Sequence, residues 1–363
     1  AGGGGGGGGG ESKSASDPSV YNWVRKHTVE LFPSARDVVE IDARLTKEDA
    51  YDVLAANNVL SAPVYHEKRK LYLGMVDTMD VCTYLVKSYE HDSRGSKALA
   101  SLKDLIKRAR SHTGDVGTLV DLSQHDHFKP VPIRTPLLML IGRLAGYPEQ
   151  LGVRRVCVID PDTGRVCKVI SQSAVLAVLA EHLDEFGPIM DRPLEEAGLA
   201  RKEGGVISVS ESAPALEAFK TIVARNISAV AVVEDETGKL LSNISASDVA
   251  TMMRQGRLLA LDQSTMDFVS AVRSGDAAKT KTGKAGPAAV TVHPDATLRA
   301  VVRKLAASHK HRVYVVDGGG RPIGVVSLKD VLRDVVVRIG IETEWVDAIY
   351  MKPEYVADLG YDA

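Results

Sequence analysis

The chain has 363 residues, enough for several cores and too many for one minimal domain. Its 45 Lys and Arg against 47 Asp and Glu leave a formal charge of −2, a balance unlike that of a protein built around nucleic-acid phosphates. No apolar run reaches the roughly 18 residues that a membrane-spanning helix needs, so a soluble chain with neither nucleic-acid nor membrane partners is expected. Cys82, Cys157 and Cys167 form no CxxC pair, which suits buried thiols in a reducing compartment. With no secretory pattern at the N-terminus, and Glu11 and Asp17 fitting poorly with a transit peptide, the cytoplasm or nucleus is the expected location.

Residues 2–10 are nine consecutive glycines with no side chain to bury, so residues 1–16 are expected to be disordered. Asp17-Pro18 reads as an N-cap and first helical residue, opening a docking helix within 17–35 that stops near Pro33. From residue 36 the chain repeats one unit: strand, helix, strand, turn, strand, helix. The first copy, 36–90, runs from Val38-Val-Glu-Ile41 through a helix to Ser61-Ala-Pro-Val64, a polar turn Glu67-Lys-Arg-Lys70, and Asp77-Thr-Met-Asp80. A charged linker over 91–120 reads as helical around Leu102, Leu105 and Ile106.

The second copy, 121–186, carries Val131-Pro-Ile133, a helix opened by Thr135-Pro136, Arg155-Val-Cys-Val-Ile159, and Ser171-Gln-Ser-Ala174. The third, 200–258, carries Val206-Ile-Ser-Val209, Ser228-Ala-Val-Ala-Val-Val233 and Ser245-Ala-Ser-Asp248. After a Lys/Gly/Ala loop over 274–287 comes the clearest copy, 288–341. It has a helix with Leu298, Val301, Val302 and Leu305 at helical spacing, then a hairpin turning at Asp317-Gly-Gly-Gly320, then Ser327-Leu-Lys-Asp330 opening a last helix. From first strand to closing tetrapeptide each copy takes about 42 residues. Trp345, Tyr350, Tyr355 and Tyr361 lie among acids in the tail 342–363, where they either pack back on the body or dock a partner.

Ser-Ala-Pro-Val followed by a hairpin, Gly-Met-Val and an Asp beyond it resembles the cystathionine-β-synthase (CBS) domain. His311-Arg-Val-Tyr-Val-Val-Asp317 and Ile323-Gly-Val-Val-Ser-Leu-Lys-Asp-Val-Leu332 carry the closest match. Four such units in one chain resemble the gamma regulatory subunit of AMP-activated and sucrose-nonfermenting protein kinases. The resemblance implies an α/β fold of α+β CBS type, with four tandem repeats paired through their sheets into two modules that form a disc.

A carboxylate in the first turn of a helix sits in a favourable dipole field and can accept hydrogen bonds from a ribose diol. Asp80, Asp248 and Asp330 occupy that position, and Ser245 and Ser327 stand three residues earlier as helix-start hydroxyls. Ser-x-x-Asp is also an ordinary helix-start signature, so the recurrence and the resemblance together favour ribose binding. The first copy has Asp77 in place of the hydroxyl, and the second has Ala174 in place of the acid. The resemblance also implies that Arg154, Arg155, His311 and Arg312 meet phosphates near the centre, while Leu60 stands where the family usually offers an Arg. Any one Arg pair alone would read as a solvated face.

His125-Asp-His127 and His309-Lys-His311 could each set two imidazoles on one strand face, but no further ligand follows, and no metal is expected. Gly283-Lys284 precedes Ala285, so no phosphate-cradling P-loop is present. The repeats leave no room for a catalytic domain and no catalytic cofactor is implied. The favoured expectation is a non-catalytic subunit that binds AMP, ADP or ATP and regulates a protein kinase, assembled with the kinase's catalytic and scaffold subunits. The alternatives are a protein–protein scaffold with degenerate sites, or a stand-alone regulator of another enzyme.

Overall fold

The computed structural model describes residues 21–33, 38–94, 116–124, 127–147, 152–254, 261–277 and 289–340. The glycine run, the Asp17-Pro18 helix start, the helix expected around Leu102, His125, the loop from 278 to 288 and the tail from 341 lie outside those residues.

Four three-stranded sheets follow one plan. In each, a short strand runs parallel to the first strand of an antiparallel hairpin, which occupies the middle. The strands are β1 (Ile41–Asp42), β2 (Ser61–His66) and β3 (Leu71–Asp77), then β4 (Val131–Pro132), β5 (Arg155–Ile159) and β6 (Val166–Ser171). The later pair of sheets comprises β7 (Ser208–Ser210), β8 (Ala229–Val233) and β9 (Leu240–Ser245), with β10 (Thr291–Val292), β11 (Arg312–Val316) and β12 (Pro322–Ser327). All four hairpins slip register near the far end of their first strand, at Val64/Tyr65, Val158/Ile159, Val232/Val233 and Val315/Val316. A shared irregularity at one position identifies four copies of one unit.

The helices are α1 (Asn22–Lys26), α2 (Lys47–Ala56), α3 (Thr78–Arg94), α4 (Leu137–Ala145), α5 (Gln172–Glu181) and α6 (Pro188–Asp191). They continue as α7 (Ala215–Ala224), α8 (Ala246–Arg254), α9 (Thr265–Ala277), α10 (Leu298–Ser308) and α11 (Leu328–Ile339). In α11 the apolar residues recur every three or four positions, and Leu328, Val331, Leu332, Val335, Val336 and Ile339 are all buried. Burying each such side chain contributes about 1.5–3 kcal/mol before entropy is counted.

Repeats one and two join through their sheets: Val166 N–H donates to Tyr72 Oη at 2.8 Å, and Cys157 Sγ lies 3.7 Å from Met75 Sδ. Repeats three and four meet at their hairpins, where Leu240 N–H donates to Gly320 O at 3.0 Å and Arg321 Nε to Thr237 O at 2.8 Å. The two modules then meet along helices. α3 of the first repeat packs on α7 and α8 of the third, burying Met79, Cys82 and Val86 with Phe219, Val249 and Met252. α11 of the fourth packs on α4 and α5 of the second, burying Val331 and Val335 with Leu140, Leu144 and Leu179.

Every repeat is also crossed by a segment from outside its own sheet, at one register position. The residues paired with Val64, Val158, Val232 and Val315 are Gly74, Lys168, Ser242 and Gly324. A Cβ on Gly74, whose φ is +145°, would stand 2.3 Å from Val120 Cγ1, and one on Gly324 would stand 2.4 Å from Ala200 O. Buried Lys168 donates to the carbonyls of Val29 and Phe32, and Ser242 Oγ accepts from Arg273 Nη1 at 3.2 Å.

The N-terminal segment is not one helix to Pro33. α1 ends at Lys26, residues 27 and 28 are extended, and a 3-10 turn follows over Val29–Leu31. The reason is tertiary: Val29 N–H donates to Thr135 O at 2.9 Å, and Leu137 N–H to His27 O at 2.8 Å. Those bonds to the start of α4 replace helix continuation. Helix α9 extends to Ala277, into the stretch expected as loop.

Candidate functional site

The site is built at the junction where each hairpin ends and each closing helix begins. Register sets Ser61 opposite Asp77, Arg155 opposite Ser171, Ala229 opposite Ser245 and Arg312 opposite Ser327. The first helical N–H then donates back to the residue before the strand: Thr78 to Leu60 O, Gln172 to Arg154 O, Ala246 to Ser228 O and Leu328 to His311 O, at 2.9–3.1 Å. Each pair of residues expected to meet phosphate is thereby fixed beside a helix N-terminus, itself a favourable place for an anion.

Asp330 and Asp248 share one geometry. Asp330 Oδ2 accepts from Ser327 N–H at 2.8 Å and from Ser327 Oγ at 2.7 Å, closing a capping box. Asp248 Oδ2 accepts from Ser245 N–H at 2.7 Å, from Ser245 Oγ at 2.9 Å and from Arg273 Nη2 at 3.1 Å. These contacts use Oδ2 alone. In the second repeat Ser171 Oγ still caps, accepting from Ala174 N–H at 3.1 Å, with no carboxylate beyond it.

Asp80 is placed differently from the ribose-facing position expected of it. It is 3% exposed, Oδ2 accepts from Asp77 N–H at 2.8 Å, and Oδ1 accepts from Ser123 N–H at 2.9 Å. The segment that crosses the first repeat covers this carboxylate with backbone, so both oxygens are committed inside the protein. Burial, then the neighbouring charge of Asp77, pushes its carboxyl well above the usual carboxylate range.

The four residues expected to meet phosphate come together from repeats two and four. His311 lies within the fields of Arg155, Arg312 and Arg154, and Arg312 within those of Arg154 and Asp248. His311 is exposed at the surface, with the three guanidinium groups around it. Desolvation by its neighbours, followed by the adjacent guanidinium groups, holds its imidazole down at about 4. It is therefore neutral at neutral pH. Arg312 Nη2 donates to Ser228 Oγ at 2.9 Å, and Tyr314 stands beside the same guanidinium. Arg154 is already engaged: its Nη2 donates to Asp77 Oδ2 of the first repeat.

Asp77, Ser228, Arg273 and Tyr314 belong to the site and were not singled out for it by sequence. Tyr314 follows Arg312 by two on a strand and so shares its face, a signal that was available. Arg273 lies on α9, whose start carries the same Ser-x-x-Asp pattern: Ser264 Oγ donates to Asp267 Oδ2 at 2.7 Å. The two imidazoles of His309 and His311 do not share a strand face, because His309 is the left-handed cap that ends α10. Among the described residues no group of three or more His, Cys, Asp or Glu could hold a metal ion.

Residues 189–255 and 286–337 match the family model of the CBS domain. The chain carries CBS domains. The matched segments fall on repeats three and four, and repeats one and two show the same CBS topology, register and hairpin slip. Protein MJ1225 of Methanocaldococcus jannaschii is similar in fold over 85% of this chain and 99% of its own, with a TM-score of 0.60 at 13% identity. Among curated relatives, 5'-AMP-activated protein kinase subunit gamma-3 of Sus scrofa is 24% identical over 323 residues, 87% of this chain and 57% of the relative. Protein SDS23 of Eremothecium gossypii is 25% identical over 292 residues, 77% of this chain and 57% of the relative. The chain spans about half the length of the curated relatives it matches.

Proposed function

We propose that this CBS-repeat chain is a non-catalytic regulatory subunit that binds adenine nucleotides and controls a partner protein kinase. The observation that carries the reading is the gathering of Arg154, Arg155, His311 and Arg312, from two separate repeats, within one another's electrostatic reach and beside the capped acid Asp248. Guanidinium groups at helix N-termini suit phosphate, and the second oxygen of Asp248 or Asp330 suits a ribose diol. Asp80, enclosed by backbone, drops out of the ribose role. The kinase gamma subunit among the relatives supports the choice of partner. A ligand that fits one arrangement of the two modules better than another would shift their balance and thereby the partner's activity.

Calorimetric titration of the folded chain with AMP, ADP and ATP tests the ligand, and affinity purification from the native cell with mass identification of partners tests the kinase. Absence of all nucleotide binding would leave the scaffold reading, which the enclosure of Asp80 and the methyl of Ala174 favour.

A further inference from the structure

We propose that Arg273, on a helix outside the CBS units, determines specificity at Asp248: as the internal counter-ion of that acid it keeps the Arg312 guanidinium for a phosphate, so the site takes a nucleoside phosphate in preference to a bare nucleoside. This deepens, and rests on, the nucleotide reading above.

Helix α9 lies between the two segments that match the CBS model. Its start is clamped to the third repeat, where Thr265 N–H donates to Ala213 O at 2.7 Å and Met266 N–H to Glu211 O at 3.1 Å. Buried Phe268, Val269 and Val272 hold it along its length. Arg273 follows on that fixed frame. Nη1 donates to Ser242 Oγ at 3.2 Å, while Nη2 donates to Asn243 O at 2.7 Å and to Asp248 Oδ2 at 3.1 Å. Three bonds thus hold the guanidinium against β9 and the start of α8. Both side chains of the ion pair are 13% exposed, so solvent screens it weakly.

The second guanidinium at this place comes from the fourth repeat. Arg312 Nη2 donates to Ser228 Oγ, and Ser228 O accepts the first N–H of α8, from Ala246, at 3.1 Å. Arg312 therefore stands beside the same helix start as Asp248. The Ser228 hydroxyl is neutral, and Asp248 acts on Arg312 through its field. Without Arg273, the acid would direct its whole charge at Arg312 and at any phosphate that Arg312 held. Arg273 offsets that charge at Oδ2. Oδ1, which takes part in none of these bonds, remains for the ribose diol. Asp330 carries the same cap, yet among the described residues no guanidinium bonds its carboxylate. The counter-ion thus belongs to the third repeat's site and is no part of the cap.

Calorimetric titration of the full chain with AMP and with adenosine tests this, and the binding event that Asp248→Ala weakens most identifies the site. Wild type is expected to bind AMP about tenfold or more tighter than adenosine there. Arg273→Gln is expected to cut that preference about tenfold by weakening AMP, with adenosine changed less than about threefold. Arg273→Lys, which keeps the charge, is expected to retain most of the preference. Should Arg273→Gln fail to fold, Asp248→Asn and Asp248→Asn/Arg273→Gln replace it, since neither leaves a bare carboxylate. The former is then expected to exceed the latter in AMP-to-adenosine preference by about tenfold. Equal wild-type affinities, equal loss of both ligands in Arg273→Gln, or a preference that no removal of Arg273 moves overturns its role while leaving nucleotide binding intact. Failure of wild type and variants to bind either ligand, with melting curves showing them folded, overturns the nucleotide reading and this inference with it.

Discussion

Arg312 of the fourth repeat donates from Nη2 to Ser228 Oγ of the third at 2.9 Å, which ties a guanidinium from one half-sheet to the strand start of the next. Replacing it removes both a cation and a cross-repeat bond. Arg312→Gln is expected to weaken AMP binding by about 10- to 100-fold, the range of a charge-assisted hydrogen bond, with Ser228→Ala weakening it far less. Calorimetry on both variants checks this, and an Arg312→Gln affinity equal to wild type would remove the guanidinium from the site.

Asp330 serves a cap and a proposed sugar contact with different oxygens, and the two roles separate by measurement. Asp330→Ala loses half of the capping box and is expected to cost about 0.5–2 kcal/mol without ligand. A ligand at about 100 times its dissociation constant adds about 2.7 kcal/mol to the wild type. Asp330→Ala and Asp248→Ala should each lose part of that gain in thermal melts. A gain unchanged in both variants would confine these acids to capping.

The neutral state of His311 carries a pH dependence. Its folded value of about 4 lies below the ordinary histidine range, so the folded chain binds fewer protons than the unfolded one between roughly pH 6.5 and 4. Its contribution to stability is complete above that window and is lost as pH falls through it. Burial raises Asp80 and acts in the opposite sense, easing the acid side. Denaturant titrations at several pH values should therefore show a shallower acid loss for His311→Gln than for wild type. An NMR midpoint for His311 near 6.5 would contradict the effect of the guanidinium groups around it.

Gly324 admits the backbone of Ala200 where any side chain would collide. Gly324→Ala places a Cβ 2.4 Å from a carbonyl oxygen that belongs to main chain and has no rotamer to move. A destabilisation of about 1–3 kcal/mol is expected from chemical denaturation. A loss below about 0.5 kcal/mol would show that the crossing segment yields freely.

The repeat was legible because its signals are local: apolar spacing in α10 and α11, the Gly turn at 317–320, and serine three residues ahead of aspartate. What escaped was set by contacts distant in sequence. α1 reads as a longer helix until Thr135 and Leu137 offer its backbone other partners. Asp80 looks like Asp248 and Asp330 in sequence, and only the approach of Ser123, 43 residues on, takes its second oxygen. Asp77 reads as a substitution away from a hydroxyl, while its ion pair depends on Arg154 standing 77 residues away.

The helical contacts join the first repeat to the third and the second to the fourth. A ribosome that has released only the first two repeats has therefore made one side of each contact and neither partner. Met79, Cys82, Leu140 and Leu144 wait uncovered during synthesis of the remaining chain, an interval in which a chaperone or a second nascent copy competes for the same surfaces.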